Sequence, residues 1–169
     1  FGNLLGAFFI VVLCYLSGLW NTSGGLLGAY TINTALTKAT LSPVSALASG
    51  ILCNILVCGS ILVMTMSTDM TGKIWGIFFT IMAFVVCGFE HSVANMYYLL
   101  AGLFAKTKHE YIEVAKATYG LTTEQIDSLN ILNCIESTIY VSIGNMISGM
   151  IFVSAIFFVI FRKLEKTEH

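Results

Sequence analysis

Glu90 and His91 are adjacent, both ionisable, and lie inside an apolar run over residues 74–104 that carries no other charged side chain. An imidazole whose unperturbed pKa is about 6.5 gains or loses a proton near neutrality, so His91 can supply or relay one. In a soluble core such a pair would read as a histidine with a satisfied partner beside a carboxylate capping the backbone. At bilayer depth the same two groups cost several kcal/mol to bury, which favours a functional role.

The elements that hold this pair must break. A continuous helix over 74–104 would reach about 45 Å against a hydrocarbon core of about 30 Å. Gly88 lacks the Cβ that resists an unusual backbone angle, and Ser92 is a good N-cap for a restarted helix. The expectation is therefore two half-helices meeting near His91, the second pointing its partial positive end into the membrane interior. A helix N-terminus so placed suits an anion.

Composition supports the membrane setting. Of 169 residues, 57% are hydrophobic and 10% charged, with a mean hydropathy of +0.87; soluble domains carry about a quarter charged residues. The chain reads as an all-α integral membrane protein. A net charge of -1 gives no reason to expect nucleic acid. Phe1 is not a start residue and no basic region precedes the first apolar run, so the sequence is expected to begin within a longer protein. The five cysteines lie in or beside apolar stretches with no C-x-x-C pair and read as reduced packing residues, with no cofactor implied.

Taken in order, residues 1–20 form a first span ending on Trp20, an interface anchor. Residues 21–45, rich in Gly, Thr, Ser and Asn and carrying Lys38, are too polar to cross and too apolar for a solvated linker; they are expected as a re-entrant loop. Pro43 suits the first turn of the next span, along which Ser49, Gly50, Asn54 and Gly59 permit close packing or a lined channel. The interrupted span follows. Residues 105–127 are the most polar, with Tyr111, Ile112, Ala115 and Tyr119 at helical spacing, and are expected as an amphipathic helix at the membrane surface. His109 and Glu113 sit four apart but lack a third ligand, so they read as a solvated face and not a metal site. A last span ends near Phe161, and the basic residues at its end make 162–169 a cytoplasmic tail.

An internal echo adds symmetry. Gly2-Asn3-Leu4-Leu5-Gly6 resembles Gly144-Asn145-Met146-Ile147-Ser148-Gly149, each read as opening a membrane helix. If these are equivalent, residues 1–20 are the last helix of one repeat and 46–161 a complete three-helix second repeat, as in inverted-repeat transporters. Two helices would then precede Phe1.

The run Gly88-Phe89-Glu90-His91-Ser92-Val93-Ala94-Asn95-Met96 resembles the signature of the formate/nitrite transporter family, with support from Gly50-Ile51-Leu52-Cys53-Asn54-Ile55-Leu56-Val57-Cys58. The resemblance implies an aquaporin-like bundle of six spans, of which four are present, in a homopentamer of separate pores in a bacterial plasma membrane. It implies that His91 is the central pore histidine with Glu90 beside it, and that Asn145 is a polar partner on the last span. It also implies that Lys38 is the basic vestibule residue and that Val57 and Phe84 are apolar constrictions. Ser92 and Asn95 belong to the same signature. Members of the family pass formate, nitrite, hydrosulfide or lactate; within it the sequence resembles the hydrosulfide channels, though no residue here selects sulfide over formate. No reaction on the substrate is implied. The competing reading is a haem-binding membrane anchor of a redox enzyme, which would need a second histidine within the membrane beside His91.

Overall fold

A computed structural model of the chain describes residues 1–165, and the end of the expected tail, 166–169, lies outside the described residues. The described residues are helical throughout apart from short connections: α1 (Gly2–Leu16), a 3-10 turn (Leu19–Asn21), α2 (Leu26–Ala39), α3 (Pro43–Met66), α4 (Met70–Val86), α5 (Ser92–Ala105), α6 (His109–Tyr119), α7 (Thr123–Ser128), α8 (Ile131–Ile147), a π-helical segment (Ser148–Val153) and α9 (Ser154–Glu165). Among the described residues, Pro43–Met66 and the continuous stretch Ile131–Val159 are long and apolar enough to cross a membrane. The helices α1, α4 and α5 are apolar but shorter.

The chain divides into two compact units, Phe1–Pro43 with Ser92–Ile139 and Val44–His91 with Tyr140–His169. In the first, α2 packs on α5 and α6, and α1 packs on α5. Val11, Ile32, Ala35, Leu36, Leu99, Ala101 and Tyr111 form its buried core. Residues 21–45, expected as a loop, thus contain the helix α2. Leu36, Ile32, Ala35 and Ala39 recur at helical spacing and bury one face, so packing overrides the weak helix propensity of the Gly- and Thr-rich composition.

The polar segment after α5 also differs from expectation. It forms two helices and not one, because Gly120 ends α6 with φ of 66° and Thr122 and Gln125 then close a reciprocal capping box on α7. Nor does the apolar side of α6 lie open: Tyr111 is 1% exposed, and its ring lies so near Gly28 of α2 that a Cβ there would stand 2.6 Å away. The Tyr111 hydroxyl donates to Asn21 Oδ1, which ties α6 to the turn before α2. His109 Nε2 stands 3.8 Å from Glu113 Oε1 on the exposed side.

In the second unit α3 and α8 come into backbone contact. A Cβ on Gly50 would meet the Val141 carbonyl oxygen at 2.7 Å, and one on Gly144 would meet Ile51 N at 3.1 Å and Gly50 Cα at 3.2 Å. Small residues at a crossing let two helices approach this closely. Gly144 and Asn145 therefore do not open a helix as the echo with Gly2 and Asn3 suggested. They lie in the last turn of α8, which starts at Ile131 with Asn130 Oδ1 accepting from Asn133 N at 3.0 Å. Asp69 caps α4, accepting from Gly72 N at 2.8 Å.

Candidate functional site

Residues 87–91 are the non-helical connection between α4 and α5. The end of α4 is built by hydrogen bonds from Gly88 N to Val85 O at 3.1 Å and from Phe89 N to Phe84 O at 3.1 Å. With Gly88 at φ of 69°, this is a Schellman ending, which needs a left-handed residue where a Cβ costs about 1–2 kcal/mol.

Beyond that turn the main chain of Glu90 is held on both sides. Its N–H donates to Ser49 Oγ of α3 at 2.9 Å, and its carbonyl accepts from Asn145 Nδ2 of α8 at 3.2 Å. The same Asn145 amide donates to Gly50 O at 2.8 Å, while the Asn145 carbonyl accepts from Asn54 Nδ2 at 2.6 Å. Glu90 and Asn145 are both buried, at 5% and 8% exposure. The connection is thus not a slack linker. Two helices grip its backbone at one residue, and the next residue is His91.

The His91 ring is half-buried, with its centroid 6.0 Å from that of Phe84 and the planes inclined at 36°. Val57 lies half-buried on α3, about two turns beyond Gly50. Five of the sequence-predicted residues, His91, Glu90, Asn145, Phe84 and Val57, therefore belong to the second unit, and among these Glu90 pairs with Asn145 and Phe84 with His91.

The other three belong to the first unit. Ser92 is the first residue of α5, and His91 directly precedes that helix. Asn95 is wholly buried on α5. Lys38 lies in the last turn of α2, its carbonyl accepting from Ser137 Oγ at 2.6 Å and its Nζ standing 5.2 Å from the centroid of the Tyr98 ring.

Sequence reasoning treated Ser49, Gly50 and Asn54 only as packing or channel-lining residues and did not see that they lock the connection. It missed Tyr98 and Ser137 altogether. The available signal was the coincidence of small and amide residues on two apolar helices, Ser49-Gly50 with Asn54 on one and Gly144-Asn145 on the other. Among the described residues no group of three His, Cys, Asp or Glu could hold a metal.

The profile of the formate/nitrite transporter family matches residues 1–159. The formate channel FocA of Escherichia coli K12 is 31% identical over 172 residues, covering 100% of this chain and 58% of FocA. A probable formate transporter of Methanothermobacter thermautotrophicus is 34% identical over 177 residues, covering 95% of this chain and 56% of that protein. A solved pentameric formate channel with formate bound has a TM-score of 0.84 at 29% identity, covering 95% of this chain and 63% of the channel. The chain thus spans less than two thirds of the length of each of these relatives. A profile match over nearly the whole chain, together with this helical likeness, makes it a member of the formate/nitrite transporter family.

Proposed function

We propose that this chain is part of a membrane channel or transporter for small monovalent anions of weak acids, namely hydrosulfide, formate or nitrite, with His91 assisting protonation in the pore. The observation that carries the proposal is the connection 87–91, whose backbone is held by Ser49 and Asn145 on either side of Glu90. At about 1.5 Å per residue, α4 with its 17 residues and α5 with its 14 are each too short for a hydrocarbon core of about 30 Å. We read them as halves of one interrupted span in the second of two inverted repeats. The four spans here are then the last four of six, α2 is a re-entrant vestibule element, and the C-terminus is cytoplasmic in a bacterial plasma membrane.

In this reading Lys38 and the positive end of α5 draw the anion inward. Val57 and Phe84 form apolar constrictions that a bare anion crosses only at prohibitive desolvation cost, whereas the neutral conjugate acid crosses cheaply. Stripping water from the anion raises its affinity for a proton, and His91, or water held by it, supplies that proton. Asn145 keeps the connection in place. No bond of the substrate is broken beyond the exchange of a proton.

The haem-anchor reading finds no support. His109 is exposed on α6 beside Glu113, and His169 lies outside the described residues, so among the described residues no second histidine lies on an apolar helix to pair with His91.

The deciding measurement is stopped-flow flux of formate, nitrite and hydrosulfide into liposomes holding the full chain, at several pH values. Side-by-side rates rank the substrates. His91→Phe is expected to abolish the pH-dependent component. Flux of the variant equal to that of the parent at every pH removes His91 from the mechanism, and no flux of any of the three anions removes the function.

A further inference from the structure

The first unit carries an open groove of about 660 Å³ between α1, α5 and the start of α8. Leu4, Leu99, Leu103, Phe104, Ile135 and Ile139 line it. Two hydroxyls also face it, and both are used within their own segments: Thr107 Oγ1 donates to Phe104 O and Thr138 Oγ1 to Cys134 O, each at 2.7 Å. The walls are therefore hydrocarbon in character.

One end of the groove opens onto a polar mouth. Leu103, Thr107 and Ile131 belong to both, and the mouth adds Lys106 and Asn130. Lys106 is the residue after α5 ends and Asn130 the residue before α8 begins. Since Ile131 starts a stretch long and apolar enough to cross a membrane, the mouth lies where that stretch leaves the hydrocarbon, at head-group level. Lys106 is held there: its Nζ donates to Leu129 O at 3.1 Å and stands 3.5 Å from Asp127 Oδ1. The Asp127 side chain is 71% exposed, and an ion pair so open to water is weak enough for a second anion to share the ammonium.

Two kinds of apolar occupant can be told apart by the walls. A helix seated on helices within a membrane needs small residues at the contact, as Gly50 and Gly144 provide in the second unit. The groove is lined chiefly by long branched and aromatic side chains, which suit a flexible hydrocarbon tail. Its charged mouth at head-group level suits a phosphate. We infer that the groove binds a membrane phospholipid, with an acyl chain lying against Leu99, Leu103 and Ile135 and the head-group phosphate at Lys106.

The test is native mass spectrometry of the full-length protein in mild detergent titrated with phosphatidylglycerol, together with thermal unfolding of the same samples. The parent is expected to retain the phospholipid and to unfold at a higher temperature as lipid is added. Lys106→Gln keeps a donor for Leu129 O and loses the charge; it should weaken lipid binding about three- to tenfold, the value of one partly screened charge-assisted contact. Lys106→Arg should recover the binding. Ile135→Trp fills the groove from one wall and should weaken binding by a similar factor, while its unfolding midpoint without lipid stays near that of the parent. Photolysis of p-benzoylphenylalanine placed at Ile139 should label a lipid. A parent that retains no phospholipid, parental affinity in either Lys106→Gln or Ile135→Trp, or photolabelling of a peptide from the same or a neighbouring chain each overturns the inference. None of these outcomes bears on the channel reading, which anion flux decides.

Discussion

Asn145 shows how one side chain can set the geometry of a site without touching a substrate. Its side-chain amide spans two main-chain carbonyls, Gly50 O at 2.8 Å and Glu90 O at 3.2 Å, while the Asn145 main-chain carbonyl accepts a hydrogen bond from Asn54 Nδ2. Asn145→Leu would fill similar space and leave the carbonyls without these donors. The expected loss is about 1–3 kcal/mol, the usual penalty for unpaired buried polar groups. We therefore expect a lower thermal unfolding midpoint in detergent and a fall in anion flux, with Asn145→Gln recovering part of the stability. A midpoint for Asn145→Leu equal to that of the parent would show that the amide does not lock the connection.

At the scale of elements, the contact between α3 and α8 does most to hold the connection 87–91, since Ser49 and Asn145 sit on these two helices. Gly144 makes the contact possible. An added methyl would press on Ile51 N and Gly50 Cα, which are backbone atoms that cannot rotate aside. Gly144→Ala should force the helices apart at a cost of about 1–3 kcal/mol, typical of overpacking. Gly59 on α3 provides the contrast, because a Cβ there meets nothing within 4 Å. Gly59→Ala should be neutral or stabilising by up to about 1 kcal/mol through helix propensity alone. Equal unfolding midpoints for the two variants would refute the close-approach argument.

For the whole molecule, many large apolar side chains are not covered by the chain itself. Trp75, Phe78 and Phe79 on α4 are all more than half exposed, Trp75 stacking on Phe79 and Phe78 meeting both edge-on, and no residue of that helix is buried. Lipid or other protein surface must cover them, since apolar surface of this extent is not left to water. Given the family, we expect the full protein to assemble as a homopentamer with one pathway per subunit. Native mass spectrometry from detergent checks this: a mass of five copies is the expected outcome, and a monomer or dimer that still transports anions would sink it.

The sequence by itself determined the class and the family. An apolar, charge-poor composition leaves only membrane helices, and the run from Gly88 to Met96 is specific enough to name the relatives that the profile match shows. It also singled out residues 87–91, because a left-handed glycine and an isolated ionisable pair are local features. Tertiary structure alone decided that residues 26–39 coil into a helix, that the apolar side of α6 closes on α2, and that Lys38 stands over Tyr98. It also chose the acceptor for Asn145, 95 positions away on α3. Periodicity and turn residues act over a few positions and can be read along the chain. A hydrogen bond or ring contact between distant segments depends on which helix faces meet and how closely, and only the packed structure sets that.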